Sequence, residues 1–131
     1  MDQESTRKIN QLVLDRFGIR YLRTENGESE AELELREGDF NAMGVPFGGI
    51  LFNLADCTAG AAHRSLGCIG MTICGESRFL RGTREVKKLH CLAKARKEGR
   101  SLGFVDASVT DENGLELAAF TFTFVNYHGS L

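Results

Sequence analysis

The chain has 131 residues, 42% of them hydrophobic, and a formal net charge of -2, values typical of one globular domain covering residues 1–131. This charge gives no electrostatic support for nucleic acid as the main partner. The polar, acidic N-terminus argues against a signal peptide starting at residue 1, and no apolar run approaches the ~20 residues of a membrane helix.

The first part of the chain predicts one helix and one hairpin. Apolar residues at helical spacing indicate a helix over residues 5–17. The dipeptide Asn26-Gly27 is typical of a tight hairpin turn, so residues 19–24 and 30–36 are expected to pair as strands. The second of these strands has a solvated acidic face, and residues 37–47 follow as a loop.

The second part of the chain predicts a long helix and four strands. The helix is expected from about Gly48 to Leu66. The strands are expected over residues 71–80, 86–97, 102–110 and 115–127, with a hairpin turn at Asn113-Gly114. Because short turns join consecutive strands, we expect an antiparallel meander. The predicted fold class is therefore α+β, with the long helix packed on an antiparallel sheet.

The four cysteines form no Cys-x-x-Cys pair. Cys57 falls in the long helix, and Cys74 and Cys91 fall in predicted strands. This usage predicts reduced, buried thiols in a cytoplasmic protein. A nucleophilic cysteine has little support, because no histidine is placed beside one in a recognisable way.

Polar and small residues form one stripe along the long helix. At about 100° per residue, the stripe contains Asn53, Asp56, Gly60, His63 and Arg64. An amphipathic helix with a solvated face is the simplest interpretation of this periodicity. However, the glycine and the many alanines also fit a helix that another backbone approaches closely.

Glycines at the start of the helix, among them Gly44, Gly48 and Gly49, indicate a site for an anion or an oxyanion. Free N–H groups at a helix N-terminus bind anions, and glycine lets a ligand approach them closely. Gly48 and Asp56 are eight residues apart, which is ~12 Å along a helix. They cannot both touch one carbonyl group. If both serve one reaction, a second copy of the chain related by a two-fold axis must supply one of them.

Four short motifs follow one another along the chain: Asn41-x-x-Gly44-x-x-Phe47-Gly48-Gly49, Leu54-Ala55-Asp56, Phe79-Leu80-Arg81 and Gly99-Arg100-Ser101. Together they resemble the hot-dog-fold acyl-CoA thioesterases, and among these the group that includes the phenylacetate-pathway and 4-hydroxybenzoyl-CoA enzymes. The resemblance covers nearly the whole chain after the first helix. It implies a long helix wrapped by an antiparallel sheet, dimers joined edge to edge, frequent tetramers and active sites at the dimer interface.

The resemblance also implies roles for individual residues. Asp56 matches the catalytic carboxylate, which acts as nucleophile or as general base on water. Gly48 matches the backbone N–H that polarises the thioester carbonyl group. Asn41 matches a polar residue that helps to hold the reacting groups, and Thr72 matches a hydroxyl residue that orients water.

Phe47 departs from the family pattern, which usually has histidine before the two glycines. Its side chain cannot form a hydrogen bond, but it could widen an apolar wall for an aryl or alkyl acyl group. Arginines at strand ends and turns are candidates for binding the phosphates of coenzyme A. The residues expected to bind the substrate are Phe47, Gly49, Phe52, Arg81, Arg84 and Arg100.

The resemblance implies hydrolysis of an acyl-CoA, with coenzyme A as part of the substrate and no cofactor. No metal is expected, because His63, His90 and His128 show no ligand spacing and surface or packing roles suit each better. The expected partner proteins are copies of the same chain, in a homodimer or homotetramer. Two alternatives remain open: a non-hydrolytic acyl-CoA-binding hot-dog protein, favoured by Phe47, and a hydratase or dehydratase, whose Asp and His motif is not found.

Overall fold

An antiparallel sheet of six strands and one long helix form the body of the computed structural model, which describes residues 3–127. The elements are α1 (Gln3–Phe17), β1 (Ile19–Glu25), β2 (Glu28–Glu34), α2 (Gly48–Arg64), β3 (Gly70–Phe79), β4 (Lys88–Glu98), β5 (Leu102–Asp111) and β6 (Glu116–Asn126). No helix in this part of the chain is long and apolar enough to cross a lipid bilayer.

The predicted helices and strands are confirmed, with ends that differ by no more than two residues. Asn26 and Gly27 have φ values of 50° and 80°, the left-handed pair that a two-residue hairpin turn requires. The predicted loop over residues 37–47 contains one short 3₁₀ helix, Glu37–Asp39. It is held by a hydrogen bond of 2.8 Å from the Arg36 N–H to Asp39 Oδ2.

The predicted meander is wrong at β3. The strand order is β1-β2-β4-β5-β6-β3, so β4 pairs with β2 and β3 pairs with β6 at the other edge of the sheet. The connection over residues 80–87 explains this order. At its start, the Leu80 N–H donates to Leu117 O within β6, and at its end Lys87 O accepts from the N–H of Leu35, directly after β2. The chain thus crosses the sheet instead of turning back on itself.

Small residues on α2 allow the helix to pack closely on the sheet. Ala55, Ala59 and Ala62 are fully buried on the helix. The predicted two faces of β6 are confirmed, because Phe120, Phe122 and Phe124 are buried and the threonines between them lie on the other face. The core therefore lies between α2 and the inner face of the sheet, where Leu33, Leu89 and Val105 are also buried.

The expectation of buried thiols is correct only for Cys91. Cys57 and Cys68 are half-buried and Cys74 is exposed, because β3 is an edge strand; all four thiols are free. Burial raises the pKa of Cys91 to about 12. Burial, and next the charge of the adjacent Asp56, raise the pKa of Cys57 to about 11. Neither of these two thiols has the character of a reactive cysteine.

Candidate active site

Asp56 and Thr72 form a direct contact between α2 and β3. Thr72 Oγ1 donates a hydrogen bond of 2.7 Å to Asp56 Oδ1, and both residues are half-buried. The contact exists because β3 pairs with β6, which places Thr72 opposite Phe124 on the helix side of the sheet. Since the threonine proton points at the carboxylate, the lone pairs of Oγ1 remain available to accept a hydrogen bond from water. In the part of the chain that the structure describes, the second carboxylate oxygen, Oδ2, has no hydrogen-bond partner.

Tyr21 also reaches this part of α2, although the sequence analysis did not identify it. Its hydroxyl group donates a hydrogen bond of 2.9 Å to Cys57 O, next to Asp56 in the chain. Burial is the main cause that raises the pKa of Tyr21. Its position in an ordinary alternating strand gave no sequence signal for this role. The tyrosine fixes the helix backbone at the point from which Asp56 projects.

The start of α2 is built from Phe47, Gly48 and Gly49. Phe47 precedes the helix in an extended conformation, with φ -71° and ψ 152°, and its carbonyl oxygen accepts from the Ile50 and Leu51 N–H groups. The Gly48 and Gly49 N–H groups precede the first intrahelical bond, so the helix itself provides no acceptor for them. They lie at the positive end of the helix dipole.

Glycine at both positions makes room for aromatic rings. A Cβ on Gly48 would lie 3.3 Å from the ring of Phe79, and a Cβ on Gly49 would collide with the ring of Phe47. Phe47 is 38% exposed, so this ring lies on the surface. Aromatic groups therefore flank the backbone N–H groups of the helix start.

Phe52 lies one turn further along α2, within an aromatic cluster. Its ring meets the edges of Phe120 and Phe122, with centroids 5.9 Å and 5.4 Å away. A Cβ on Gly75 would be 2.9 Å from the same ring, so the absence of a side chain on β3 makes room for it. Phe79 joins the cluster through Phe120, at 6.0 Å. Phe120 and Phe122 are buried, so the accessible part of this aromatic wall consists of Phe79 and the half-buried Phe52.

Asn41 shapes the loop that leads into α2. Its Oδ1 accepts hydrogen bonds from the Met43 N–H (3.0 Å) and the Val45 N–H (3.1 Å). The side chain is exposed, and these bonds hold its oxygen within its own loop. In the single chain, its role is to fix the backbone that precedes Gly48.

The three candidate arginines do not converge on one place in the single chain. Arg81 Nη1 donates to Glu116 O (2.6 Å) at the start of β6, whereas Arg100 lies beside Asn126 at the end of β6. Ten strand steps separate these ends, which is roughly 33 Å. Arg84 is exposed and belongs to the same connection as Arg81. Gly82 lies against Val45, so this connection flanks the start of α2.

The candidate active site does not coincide with either of two open depressions on the single chain. Two open depressions of about 460 and 470 Å³ lie elsewhere, one beside Arg20 and Glu32 and the other beside His90 and Asp111. Asp56 lines neither of them. The Asp56–Thr72 pair and the start of α2 therefore lie outside both depressions.

An apolar strand edge adjoins the Asp56–Thr72 pair. Among residues 3–127, β3 pairs with a strand on one side only, and apolar side chains along it and beside its ends are 45–56% exposed. They are Ile69, Met71, Ile73, Phe79 and Leu80. The opposite edge, β1, carries Arg20 and Arg23 and a register shift, and β3 likewise carries charges and a register shift, the latter between Thr72 and Cys74. The two edges differ in apolar exposure, because Leu22 is the large apolar residue exposed on β1.

The interpretation of the polar stripe on α2 as a solvated face is wrong for two of its residues. Gly60 and His63 are buried, Asn53 and Asp56 are half-buried, and only Arg64 is exposed. The ring of His63 stacks on Phe124, with centroids 4.6 Å apart. β3 and β6 cover this stripe because they pair at the edge next to it.

The other two histidines differ from His63. His90 is half-exposed, and its Nε2 lies 3.4 Å from Glu30 Oε1 on the outer face of the sheet. His128 lies outside the described residues. A packing role for His63 and a surface role for His90 match the expectation from the sequence.

A model of the thioesterase superfamily matches residues 43–118 of the chain. A search of curated proteins found no significant match. Among solved structures, a hypothetical thioesterase protein with coenzyme A from Streptococcus pneumoniae TIGR4 is similar, with TM-score 0.86, 21% identity, and coverage of 92% of this chain and 95% of that one. The E. coli PaaI protein from the phenylacetic acid degradation operon has TM-score 0.86, 21% identity and 93% coverage of both chains.

A third structure, of smu.793 from Streptococcus mutans UA159 bound to acetyl CoA, has TM-score 0.79 and 25% identity and covers 83% of this chain and 88% of that one. Two variants of the pneumococcal protein, each with TM-score 0.79 and 22% identity, carry alanine in place of an aspartate or a threonine sixteen positions apart. These likenesses confirm the predicted fold class: an α+β hot-dog fold with a long helix wrapped by an antiparallel sheet.

Proposed function

Because the chain belongs to the thioesterase superfamily, we propose that it hydrolyses an acyl-CoA thioester to the free acid and coenzyme A. The proposal rests chiefly on the hydrogen bond of 2.7 Å between Thr72 and Asp56. Sixteen positions separate the two residues, the same spacing as the aspartate and threonine replaced in the pneumococcal thioesterase protein. Two of the similar proteins were solved with coenzyme A or acetyl CoA, which supports this class of substrate.

In the proposed reaction, Asp56 acts through Oδ2 as general base or as nucleophile. As a base, it takes a proton from water while the water oxygen attacks the carbonyl carbon. The C–S bond then breaks, and the sulfur of coenzyme A leaves with the proton. As a nucleophile, Oδ2 attacks the carbonyl carbon, and the C–S bond breaks so that coenzyme A leaves as a thiolate that takes a proton from water. Water then hydrolyses the resulting mixed anhydride to the free acid and restores the Asp56 carboxylate. Thr72 fixes Oδ1 in either case, so Oδ2 is aimed at the substrate.

Gly48 supplies the oxyanion donor in this proposal. Its N–H and the positive end of the α2 dipole stabilise the negative charge that develops on the thioester oxygen. Asp56 lies eight residues further along the same helix, ~12 Å away. The donor and the carboxylate of one reaction centre must therefore come from two chains.

Pairing of β3 with a second copy of itself brings the two groups together. In an antiparallel pair with its two-fold axis at Glu76, the irregularity of β3 between Thr72 and Cys74 would take up one residue, so Thr72 of one chain would lie opposite Phe79 of the other. Phe79 covers Gly48 within its own chain, and Thr72 binds Asp56. The pairing also buries the exposed apolar side chains of the edge. We therefore propose a homodimer as the active unit, and the pairing of dimers into a homotetramer stays a prediction.

The substrate is proposed to lie along the helix start. Phe47, Gly49 and Phe52 would border the acyl group, which meets the aromatic wall. Arg81 and Arg84 flank the same helix start and are exposed, as phosphate-binding arginines need to be. Arg100 lies at the far end of β6, so it would meet the coenzyme A bound to another chain of the assembly. Asn41 would act by fixing the loop that presents Gly48.

The test is thiol release from a panel of short, long-chain and aromatic acyl-CoAs, with binding measured by calorimetry. The native protein should release coenzyme A from at least one of them, and Asp56→Asn should bind that acyl-CoA without hydrolysing it. Asp106→Asn is a matched control, since Asp106 accepts a hydrogen bond of 3.0 Å from Thr121 on the outer face of the sheet. This variant should keep native turnover.

Other outcomes would distinguish the alternatives. Binding of acyl-CoAs by the native protein without release of thiol from any of them would favour the non-hydrolytic binding protein. Near-native turnover in Asp56→Asn would contradict the role of Asp56 while leaving thioester hydrolysis in place. Thiol release therefore tests hydrolysis and calorimetry tests binding, and both are measured on the full chain.

A further inference from the structure

A second group of polar side chains lies at the C-terminal end of α2. His63, Cys68 and Glu98 each provide one ligand atom of the types that bind metals, and the three atoms lie within 4.8 Å of one another. His63 is in the last turn of α2, Cys68 precedes β3, and Glu98 ends β4. His63 follows Asp56 by seven residues, which is roughly 10 Å along the helix. The group is therefore separate from the candidate active site.

His63 is buried with its polar atoms unused. Its side chain is only 1% exposed, and neither ring nitrogen has a hydrogen-bond partner among residues 3–127. Its Nδ1 is 3.1 Å from Glu98 Oε2, but the two groups are not oriented for a hydrogen bond. The ring is fixed by stacking on Phe124. Buried polar atoms in native proteins nearly always have a hydrogen-bond or metal partner. The unpaired Nδ1 of His63 therefore indicates that a ligand binds there.

Glu98 is held in place by neighbouring groups. Asn126 Nδ2 donates a hydrogen bond of 2.7 Å to its Oε1, which leaves Oε2 on the side of His63. A Cβ on Gly103 would lie 2.5 Å from Oε2, so glycine on β5 makes space for the carboxylate. Such outer hydrogen bonds are typical of carboxylates that bind metals. The side chain of Glu98 is 23% exposed, which gives an ion a path from solvent.

Cys68 completes the group as a half-buried thiol. Burial, and then a hydrogen bond that the thiol donates to Glu98, raise the pKa of Cys68 in the metal-free protein. A metal ion would replace that proton and accept the sulfur as thiolate. The thiol already lies next to the carboxylate, so only a small movement of the loop before β3 would be needed.

We propose that His63, Cys68 and Glu98 bind one zinc ion. Nitrogen and oxygen ligands about 2.0–2.1 Å from a tetrahedral zinc ion are roughly 3.3 Å apart, and His63 Nδ1 and Glu98 Oε2 are 3.1 Å apart. Zinc accepts this mixed set of nitrogen, sulfur and oxygen ligands, whereas calcium and magnesium prefer oxygen alone. Water fills the fourth position. The ion would tie the end of α2, the loop before β3 and the β4–β5 turn into one unit.

The sequence concealed this site because its three residues have no metal-binding spacing. His63 and Cys68 are five positions apart, and Glu98 follows thirty positions after Cys68. The crossing of the chain from β3 to β4 and the pairing of β6 with β3 bring them together. The prediction that no metal binds rested on spacing alone, and this arrangement argues against it.

The test uses the tag-free full chain, stripped with a chelator and titrated with Zn²⁺ alone. Calorimetry should show one zinc ion per chain, and zinc should raise the melting temperature. Cys68→Ser and Glu98→Gln should each weaken binding at least tenfold. Cys74→Ser is the matched control, because Cys74 is an exposed thiol on β3. With Co²⁺, the thiolate charge-transfer band should be present in this control and absent in Cys68→Ser.

Either of two titration results would overturn the proposal. One is the absence of stoichiometric zinc binding to the native chain, which would leave His63 and Glu98 as a simple ion pair. The other is binding of equal strength by Cys68→Ser. Crystals of the native protein grown with Zn²⁺ give a readout that does not depend on the folding of any variant. An anomalous peak between His63 and Glu98 would support the site, and no peak there would refute it.

Discussion

Replacement of Gly48 by proline would remove the proposed oxyanion donor while sparing the fold. Gly48 is the first residue of α2, a position where proline is common because its N–H has no helical partner. Proline also requires an extended residue before it, and Phe47 already has φ -71° and ψ 152°. The helix should therefore form normally in Gly48→Pro.

The expected loss follows from the missing N–H group. Removal of one oxyanion donor lowers kcat by about 100- to 1000-fold, or roughly 2.7–4 kcal/mol of transition-state stabilisation. Gly48→Ala is the control, since it keeps the N–H but adds a Cβ that would lie 3.3 Å from the ring of Phe79. The ring must shift by a few tenths of an ångström, so this variant should lose far less activity than the proline variant.

The assay is the initial rate of thiol release from the best acyl-CoA in the panel, with kcat and KM determined separately. Thermal unfolding monitored by circular dichroism shows whether each variant folds. If Gly48→Pro melts like Gly48→Ala and has the same kcat, the Gly48 N–H is not the oxyanion donor. A loss confined to KM would place the N–H in ground-state binding instead.

Three further predictions follow. Mixing Asp56→Asn chains with Gly48→Pro chains, under conditions where subunits exchange, should restore about a quarter of native activity. Half of the dimers are then mixed, and each mixed dimer has one intact site of two. No recovery of activity would place both groups of one site in the same chain. Thr72→Val removes the hydrogen bond to Asp56 and should lower kcat roughly 10- to 150-fold, whereas Thr72→Ser should stay near native. Ile73→Lys should yield inactive, folded monomers in light scattering, because it puts a charge on the apolar β3 edge; Leu22→Lys on the opposite edge, a residue 48% exposed, should leave the dimer intact.

Local sequence signals were sufficient to predict the elements but not their order in the sheet. Asn26-Gly27 and Asn113-Gly114 fix two hairpins, because their backbone preferences act over a few residues. No pattern within residues 80–87 predicts which strand the chain pairs with after this connection. The hydrogen bonds that settle the question join Leu80 to Leu117 and Leu35 to Lys87, and these are long-range contacts. The place of β3 therefore needed the folded structure.

Those residues of the candidate site that lie within one sequence motif could be proposed from the sequence. The glycines at the helix start and Asp56 lie in one short segment, so their spacing alone implied two half-sites. The burial of His63 was not predictable, because a helical projection treats the helix as isolated. Its ring nitrogen faces Gly70, where a side chain would leave no room. A glycine on a neighbouring strand makes this room, and the sequence of the helix alone does not show it.

The pairing of β3 with β6 has a consequence for the order of events during synthesis. Thr72 emerges from the ribosome some fifty residues before its partner Phe124, so β3 cannot pair with β6 until that later segment has been made. Such distant pairing closes late and slowly. Until then the apolar side chains of β3 face water on both sides, which favours misassembly. A truncation that removes β6 would thus release β3 and break the Asp56–Thr72 contact, although neither residue belongs to that strand.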